Sequence, residues 1–282
     1  MSEIAPRVEL RDVVKVFGQP GRETPALAGV SLRAERSEFV TLIGPSGCGK
    51  STIFNVVAGL AEPTSGEVLF DGASSASRLG LTAYMPQKDL LLPWRTVLEN
   101  VVLGLEIQGV DREVARARAL GCLPAFGLAG FADRYPATLS GGMRQRAAFL
   151  RTLLLGRDVL LLDEPFGALD ALTRSEMQEW LLGIWEATRP TVVFITHDVD
   201  EALLLSDRVY VLGPRPATVT ASVRVEFPRP RHLELVTSGE FGALKRRLLA
   251  LLRPAVRADG SADLVTAAAP TPAQINGRNG HA

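Results

Sequence analysis

A glycine-rich loop that carries a lysine and two hydroxyl residues has the spacing G-x-x-x-x-G-K-[ST]. Its members are Gly44, Pro45, Ser46, Gly47, Cys48, Gly49, Lys50, Ser51 and Thr52. Such a loop predicts phosphate binding, because glycines allow a concave row of backbone N–H groups to approach the anion closely. Lys50 can then bridge the β- and γ-phosphates of a nucleotide, and the Ser51 hydroxyl can coordinate Mg²⁺. We expect Cys48, at a variable position, to act only as a small filler.

Two carboxylates and a histidine follow two further apolar runs. Asp163 and Glu164 come directly after the run at 159–162, and His197 follows the run at 191–196. In an open parallel sheet, ligand chemistry gathers at the carboxyl ends of the strands. We therefore expect Asp163 to hold Mg²⁺, Glu164 to polarise an attacking water, and His197 to bond the γ-phosphate or that water. Lys50, Glu164 and His197 form the predicted catalytic set, and Asp163 belongs to the predicted metal site.

A second anion site is predicted at Ser140, Gly141 and Gly142, which open a helical pattern. A serine hydroxyl and unhindered backbone donors at a helix start favour an anion. One nucleotide needs only one phosphate cradle, and this chain has two. The sequence therefore suggests two chains placed head to tail, each completing the other's site.

The elements that must position these residues follow an α/β pattern. Residues 38–43 predict a strand before the glycine-rich loop, and Ile53, Val56, Val57 and Leu60 lie at the spacing of one helix face after it. Because a strand precedes the loop and a helix follows it, the alternative interpretation of the loop, a glycine-rich turn with an incidental lysine, is disfavoured. The apolar runs predict parallel strands buried on both faces. The first 35 residues and 66–85 predict a flanking antiparallel β layer, and 88–151 a mostly helical lobe.

Composition and charge narrow the class of protein. The chain has 282 residues with 31 basic and 31 acidic side chains, and this zero net charge argues against a nucleic-acid partner. No apolar run reaches the ~20 residues of a membrane-spanning helix, no signal peptide is evident, and two cysteines are too few for a disulfide framework. We expect a reduced, intracellular chain that reaches a membrane only through a partner. Residues 241–252 predict one amphipathic helix, and from Arg257 onward a disordered tail is expected.

The motifs together resemble those of the nucleotide-binding subunits of ATP-binding cassette (ABC) transporters, over about residues 5–225. The stretch LSGGMRQR at 139–146 matches the signature of that family. The resemblance implies a P-loop NTPase (RecA-like) core with a flanking antiparallel β layer and an inserted α-helical lobe. It also implies that two ATP molecules, each with Mg²⁺, lie in a homodimer. Ser140, Gly141 and Gly142 would then bind the γ-phosphate held by the opposite subunit.

The same resemblance assigns three more residues. Gln87 would sense Mg²⁺ and the γ-phosphate and link them to a transmembrane partner. Asp170 would cross the dimer interface, although glycine stands at position 167, where the family more often has serine. Phe17 would stack on adenine. The implied boundaries are a cassette at 5–235, with its helical lobe at about 88–151, and a C-terminal extension at 236–282.

The segments MPQKDLLLPWRTVLENV and EPFGALDALTR resemble importer subunits for nitrate, sulfonate and taurine, whose relatives carry pyrimidine precursors of thiamine. This implies permease partners at the cytoplasmic face of the cell membrane and, indirectly, a solute-binding protein. Residues 90–97 would help form the groove that receives a permease helix, or would simply pack within the helical lobe. An exporter subunit, a soluble phosphotransferase and a non-transport relative acting on DNA or ribosomes are the alternatives. The sequence does not identify the solute.

Overall fold

The computed structural model describes residues 5–19, 21–167 and 169–257. These residues form ten strands and eight α-helices. The strands are β1 Val8–Phe17, β2 Thr24–Ala34, β3 Phe39–Ile43, β4 Ser65–Phe70, β5 Ala73–Ser74, β6 Ala83–Met85, β7 Val159–Asp163, β8 Thr191–Ile195, β9 Arg208–Leu212 and β10 Val219–Arg224. The helices are α1 Lys50–Val57, α2 Val97–Val101, α3 Leu103–Ile107, α4 Arg112–Cys122, α5 Gly141–Leu153, α6 Ala171–Thr188, α7 Val199–Leu205 and α8 Gly239–Arg257.

The core is a six-stranded sheet in the order β10-β9-β3-β8-β7-β6. Its strands pair in parallel except for β10, which is antiparallel to β9. The strands β3, β7 and β8 have five residues each, and every one of these residues is buried, because helices or the second sheet cover both faces. The carboxyl ends of these three strands therefore lie at one edge, and the glycine-rich loop, the acidic pair and His197 follow them there.

A second sheet, β2-β1-β4-β5, is antiparallel and packs with α1 in one hydrophobic cluster. The predicted antiparallel layer is thus present, but its C-terminal limit at residue 85 is wrong. β6 belongs to the core sheet instead, parallel to β7. The physical reason is burial: Ala83 and Met85 are 0% and 1% exposed in the cluster that also holds Leu160 and Leu162. β6 has only three residues and forms the edge strand of the core sheet beside β7.

Helix α1 ends one turn earlier than the apolar spacing predicts. The helix covers Lys50–Val57, and Leu60 is 61% exposed rather than buried on its inner face. Gly59 adopts φ +76°, and the N–H of Leu60 bonds the carbonyl of Asn55. This left-handed residue closes the helix and turns the next side chain to solvent.

Four helices, α2 to α5, lie in the segment between β6 and β7. Helix α2 begins with a reciprocal cap, in which the Thr96 hydroxyl accepts from the Glu99 N–H and the Glu99 carboxylate accepts from the Thr96 N–H. The fully buried Asn100 amide bonds three backbone carbonyls of residues 92–96 and accepts from the Leu92 N–H. These bonds fix the irregular segment before α2 in one conformation.

The C-terminal part of the described chain folds back onto the core. Helix α8 is longer than the predicted 241–252, and it buries Phe241 and Leu248 completely. Lys245, expected on the polar side, lies 2.7 Å from a carboxylate oxygen of Asp200 on α7. The tail that was predicted to be disordered lies outside the described residues, which end at Arg257. Among the described helices, none is long and apolar enough to cross a membrane.

A buried guanidinium attaches the segment between β10 and α8 to the core. The Arg231 side chain is 1% exposed, and burial, with a smaller contribution from Arg229, lowers its pKa to about 10. It donates to five backbone carbonyls, those of Leu203, Leu204, Ser206, Val225 and Phe227. These carbonyls belong to α7, to the turn after it and to the segment that leads into the extension. One side chain therefore joins three segments of the fold.

The Arg231→Met variant will unfold at a temperature about 10 °C lower than the unaltered protein. Methionine matches the volume but leaves the buried carbonyls without donors, which costs roughly 3–5 kcal/mol. Thermal unfolding followed by circular dichroism measures the shift. Arg247→Met on α8 is the matched control, because Arg247 is exposed and should move the midpoint by about 1 °C at most. Equal shifts in the two variants would contradict this role.

Candidate nucleotide-binding site

The glycine-rich loop joins β3 to α1 and has the backbone shape that phosphate binding needs. Gly47 and Gly49 adopt φ +73° and +127°. A β-carbon at Gly49 would lie 2.9 Å from the Ala26 carbonyl oxygen, so only glycine fits there. Gly49 is also the N-cap of α1, and no side chain within the described part of the chain caps the first N–H groups of that helix. Those groups and the positive end of the helix dipole are free to bind an anion.

The Lys50 side chain is hydrogen-bonded to the backbone of its own loop. Its Nζ donates to the carbonyl oxygens of Gly44 and Pro45, both at 2.9 Å, and the residue is 6% exposed. Cys48 is 1% exposed and packs in the core cluster with Ile53 and Phe54, as expected for a filler. The ammonium group is the one charge of the loop, and phosphate oxygens can replace its carbonyl partners.

A cavity of about 330 Å³ lies over the loop. Two residues distant in sequence, Gln87 and Glu164, complete its wall. The loop contributes Ser46, Gly47, Gly49, Lys50, Ser51 and Thr52. The structure therefore brings the predicted phosphate loop, the predicted sensor glutamine and the predicted catalytic glutamate around one space.

Asp163 ends β7 and is 4% exposed. Burial raises the pKa of its carboxyl group, which the hydrogen bond from Ser51 partly offsets. The facing Ser51 hydroxyl and Asp163 carboxylate are oxygen donors of the kind Mg²⁺ prefers, so these residues fit the predicted metal site. Bound there, Mg²⁺ would neutralise phosphate charge.

The Asp163→Asn variant will be more stable than the unaltered protein at pH 7–8. Because burial raises the folded-state pKa, ionisation of this carboxyl weakens the native state above that pKa and has no effect well below it. We therefore expect the midpoint of thermal unfolding of the variant to lie above that of the unaltered protein. The gain should be full above the folded-state pKa and should shrink as pH falls through that pKa toward 3.8, the ordinary value of this carboxyl. Asp133→Asn, at an exposed position, is the control; a lower midpoint for Asp163→Asn would refute the account.

Glu164 has a strained backbone, and two other predicted site residues lie close to its carboxylate. Its φ is +45°, which is uncommon outside glycine and often marks functional positions. The Gln87 side chain donates to its Oε2 at 2.9 Å, and His197 Nδ1 lies 3.5 Å from the same oxygen. His197 is 60% exposed at its side chain, so it faces the open side of the site. One carboxylate oxygen is thus fixed by Gln87, and the other can orient a water molecule.

The second predicted cradle lies elsewhere on the chain. Ser140 is the N-cap of α5, and its hydroxyl accepts from the Met143 N–H at 3.2 Å. A β-carbon at Gly142 would lie 2.9 Å from Thr173 Cγ2, so α5 packs closely against the start of α6. Asp170 caps α6, and its bond from the Thr173 N–H lowers the pKa of its carboxyl. Ser140, Gly141, Gly142 and Asp170 do not line the cavity over the glycine-rich loop.

Phe17 ends β1 and is 42% exposed. It does not line the cavity, and Lys15 Nζ lies 5.0 Å from its ring centroid. This cation covers one side of the ring and leaves the other to solvent. Adenine stacking on Phe17 stays a prediction.

Sequence reasoning missed Tyr84 as part of the site. Its hydroxyl lies 3.5 Å from Asp163 Oδ2, and burial, followed by the Asp163 charge, raises its pKa. Tyr84 is on β6 and pairs in register with Leu161 of β7. Tyr84 could have been predicted only by assigning β6 to the core sheet. That assignment places Tyr84 beside β7, the strand that ends with Asp163.

The fold and this cavity define a P-loop nucleotide-binding protein, and comparisons with known proteins name its class. A family model described as ABC transporter matches residues 27–167. A taurine import ATP-binding protein of Rhizobium johnstonii is 44% identical over 238 residues, covering 82% of this chain and 90% of that protein. A formylaminopyrimidine import ATP-binding protein of Halalkalibacterium halodurans is 42% identical, covering 81% of this chain and 90% of that protein.

Among solved structures, a dimeric ATP-binding cassette in a post-hydrolysis state with ADP and Pi superposes with a TM-score of 0.70. Its identity is 32%, and the match covers 78% of this chain and 100% of that chain. The chain therefore belongs to the ABC transporter family. It is an ATP-binding subunit whose ATP hydrolysis is coupled to transport, and the predicted α/β fold with its β layer and helical lobe is confirmed.

Proposed function

We propose that this chain drives an ABC importer as a homodimer, with two Mg²⁺-ATP molecules between the phosphate loop of one subunit and the Ser140 helix of the other. The observation that carries the proposal is that two phosphate cradles on one chain share no cavity. Each cradle leaves a bound triphosphate open on one side. A second subunit, turned head to tail, closes that side with its own Ser140, Gly141 and Gly142. Support comes from the dimeric cassette with ADP and Pi, to which the chain is similar.

Catalysis in this dimer is mostly positioning and charge neutralisation. Lys50 and the N–H groups at the start of α1 hold the phosphates, and Ser51 and Asp163 hold Mg²⁺. Glu164, with one oxygen fixed by Gln87, orients the attacking water, and His197 bonds the γ-phosphate from the open side. Hydrolysis replaces one triphosphate by ADP and phosphate, which weakens the interface and lets the subunits separate. That cycle of closing and opening moves the permease.

The permease contacts the segment at 90–97, which follows Gln87 and ends at the first residue of α2. Leu90 and Trp94 are 58% and 71% exposed, a large apolar surface for one short segment. Arg151 of α5 donates to the carbonyls of Asp89 and Leu90, and Arg144 of α5 lies 3.2 Å from the Asp89 carboxylate. The segment is therefore attached to the helix that begins at Ser140. Opening and closing of the ATP site would therefore move a permease helix that is docked on this segment.

The transported solute belongs to a group of small polar molecules: nitrate, a sulfonate such as taurine, or a pyrimidine precursor of thiamine. Support comes from relatives named for taurine import and formylaminopyrimidine import. The subunit works at the cytoplasmic face of the cell membrane, and a solute-binding protein delivers the cargo to the permease. No nucleic acid takes part. Within the chain, 5–235 forms the cassette, with its helical lobe at about 88–151, and 236–282 is the extension.

A docking variant tests the permease contact. Trp94→Asp should reduce recovery of the permease, co-purified with the tagged chain from detergent-solubilised membranes, at least tenfold, because a charge replaces a large apolar anchor. Its ATP affinity should stay within about twofold of the original. Ile107→Asp is the matched control, since Ile107 is an apolar side chain 80% exposed on α3. Full recovery of the permease with Trp94→Asp would refute the docking site. Mass spectrometry identifies the recovered permease and its binding protein, and ligand screening on that binding protein then identifies the solute.

A further inference from the structure

A cavity of about 620 Å³ lies at the edge of the core sheet opposite the nucleotide site. It opens beside Asp158 and Pro190, the residues directly before β7 and β8, whereas the nucleotide site follows the carboxyl ends of those strands. Five strand residues separate the two edges by about 17 Å. Nothing in the proposed ATPase mechanism uses this cavity.

The floor of the cavity is apolar. Leu153 and Leu154 at the end of α5, together with Ile184 of α6, contribute partly exposed aliphatic side chains, above the buried Phe126, Leu150 and Leu160. Aliphatic surface that faces water inside a concave space favours an apolar ligand body, because its burial releases water. Its volume lies within the ~300–1,000 Å³ range of small-molecule sites, so a medium-length aliphatic chain fits inside.

The rim of the cavity is basic. Four arginines line it, Arg7, Arg36, Arg157 and Arg189, against the single carboxylate of Asp158. Arg7 forms ion pairs with Asp158 and Asp71, and Arg36 forms an ion pair with Asp71. Arg189 stacks on the Trp185 ring at 4.3 Å, which leaves its outward N–H groups available. Among the described residues Arg157 has no ion pair, so at least two guanidinium groups can take an anionic ligand.

We propose that this cavity binds a small amphipathic anion, whose aliphatic body packs on Leu153, Leu154 and Ile184 and whose head group bonds Arg157 and Arg189. The site is separate from the ATP site, and the inference does not depend on the proposed transport function. The ligand would touch the far ends of the two elements that lead to Ser140 and Glu164. Helix α5 begins after Ser140 and runs 13 residues, about 20 Å, to Leu153, and β7 ends directly before Glu164.

Octanoate is the probe, titrated by calorimetry into the full-length protein. We expect saturable one-to-one binding, with no saturation by acetate, which lacks the body, or by 1-octanol, which lacks the charge. Excess ADP should leave the octanoate affinity within about twofold, since the two sites lie at opposite edges. Absence of saturable octanoate binding, equal binding of acetate or octanol, or competition with ADP would overturn the proposal.

Charge-reversal variants locate the site. Arg157→Glu should weaken octanoate binding at least tenfold, because a charge-assisted bond is replaced by repulsion. Arg112→Glu, an equal change of charge at an exposed position at the start of α4, should have less than a twofold effect. Arg189→Asn is a second variant that suits the left-handed backbone of that position, φ +50°, and should also weaken binding several-fold. Equal affinities for Arg157→Glu and Arg112→Glu would overturn the proposal.

Discussion

The Glu164→Gln variant will bind ATP almost as tightly as the unaltered chain and will hydrolyse it roughly 10²–10⁴ times more slowly, the range for loss of a general base. The amide keeps the shape of the carboxylate and can still accept the bond from Gln87, which is 2.9 Å long in the structure. It cannot polarise water. ATP affinity is measured by calorimetry, and turnover is measured by phosphate release.

Glu113→Gln is the control for this variant, because Glu113 lies at an exposed position on α4. It removes the same charge and should leave turnover within about twofold. A Glu164→Gln protein with unchanged hydrolysis would remove Glu164 from the mechanism. Loss of ATP binding would instead show that the carboxylate holds the loop together.

The Ser140→Arg variant will retain ATP binding and lose at least about 10² of the hydrolysis rate, the typical effect of removing one preorganised donor to a transition state. Ser140 does not line the cavity of its own chain, so an arginine there leaves the loop around Lys50 untouched. It blocks the approach of the second subunit's nucleotide. Ser77→Arg, at an exposed position before Arg78, is the control and should keep full turnover.

Loss of ATP binding by Ser140→Arg would mean that the serine acts within its own chain. Full turnover would mean that its helix plays no part in the site. Both results would contradict the head-to-tail arrangement, and they are distinguished by measuring affinity and turnover on the same preparation.

Much of the parallel core could be predicted because burial on both faces leaves near-continuous apolar runs in sequence. The runs that became β7 and β8 were of this kind, and the polar residues after them were expected at one edge. β6 could not be assigned this way, since three residues carry no periodicity. Its neighbour in sequence is a β layer, and only tertiary burial of Ala83 and Met85 places it in the core sheet.

The chemistry of the site was easier to predict than its contacts. Loop spacing indicated what Lys50 and Ser51 can bind, yet no local pattern indicated that Gln87 donates to Glu164 or that Tyr84 lies near Asp163. These contacts join residues 77 and 79 positions apart. The end of α1 was missed for a different reason, because the left-handed Gly59 outweighs the apolar character of Leu60.

The C-terminal extension illustrates the same limit. Amphipathic spacing indicated a helix near 241–252, but Arg231, which attaches the segment before that helix to the core, was not identified. An arginine in a polar, proline-rich segment is usually solvated. Its five carbonyl partners come from α7, the turn after it and the residues after β10, and only the folded chain brings them together.

The central claim is that a complete ATP site needs two subunits, and the mass of a hydrolysis-deficient protein in solution tests it most directly. Light scattering of Glu164→Gln with saturating Mg²⁺-ATP should give a dimer, and without nucleotide a monomer. The double variant Glu164→Gln with Ser140→Arg should bind ATP with similar affinity and remain a monomer. Dimers of equal stability in both proteins, or monomers in both, would contradict the account.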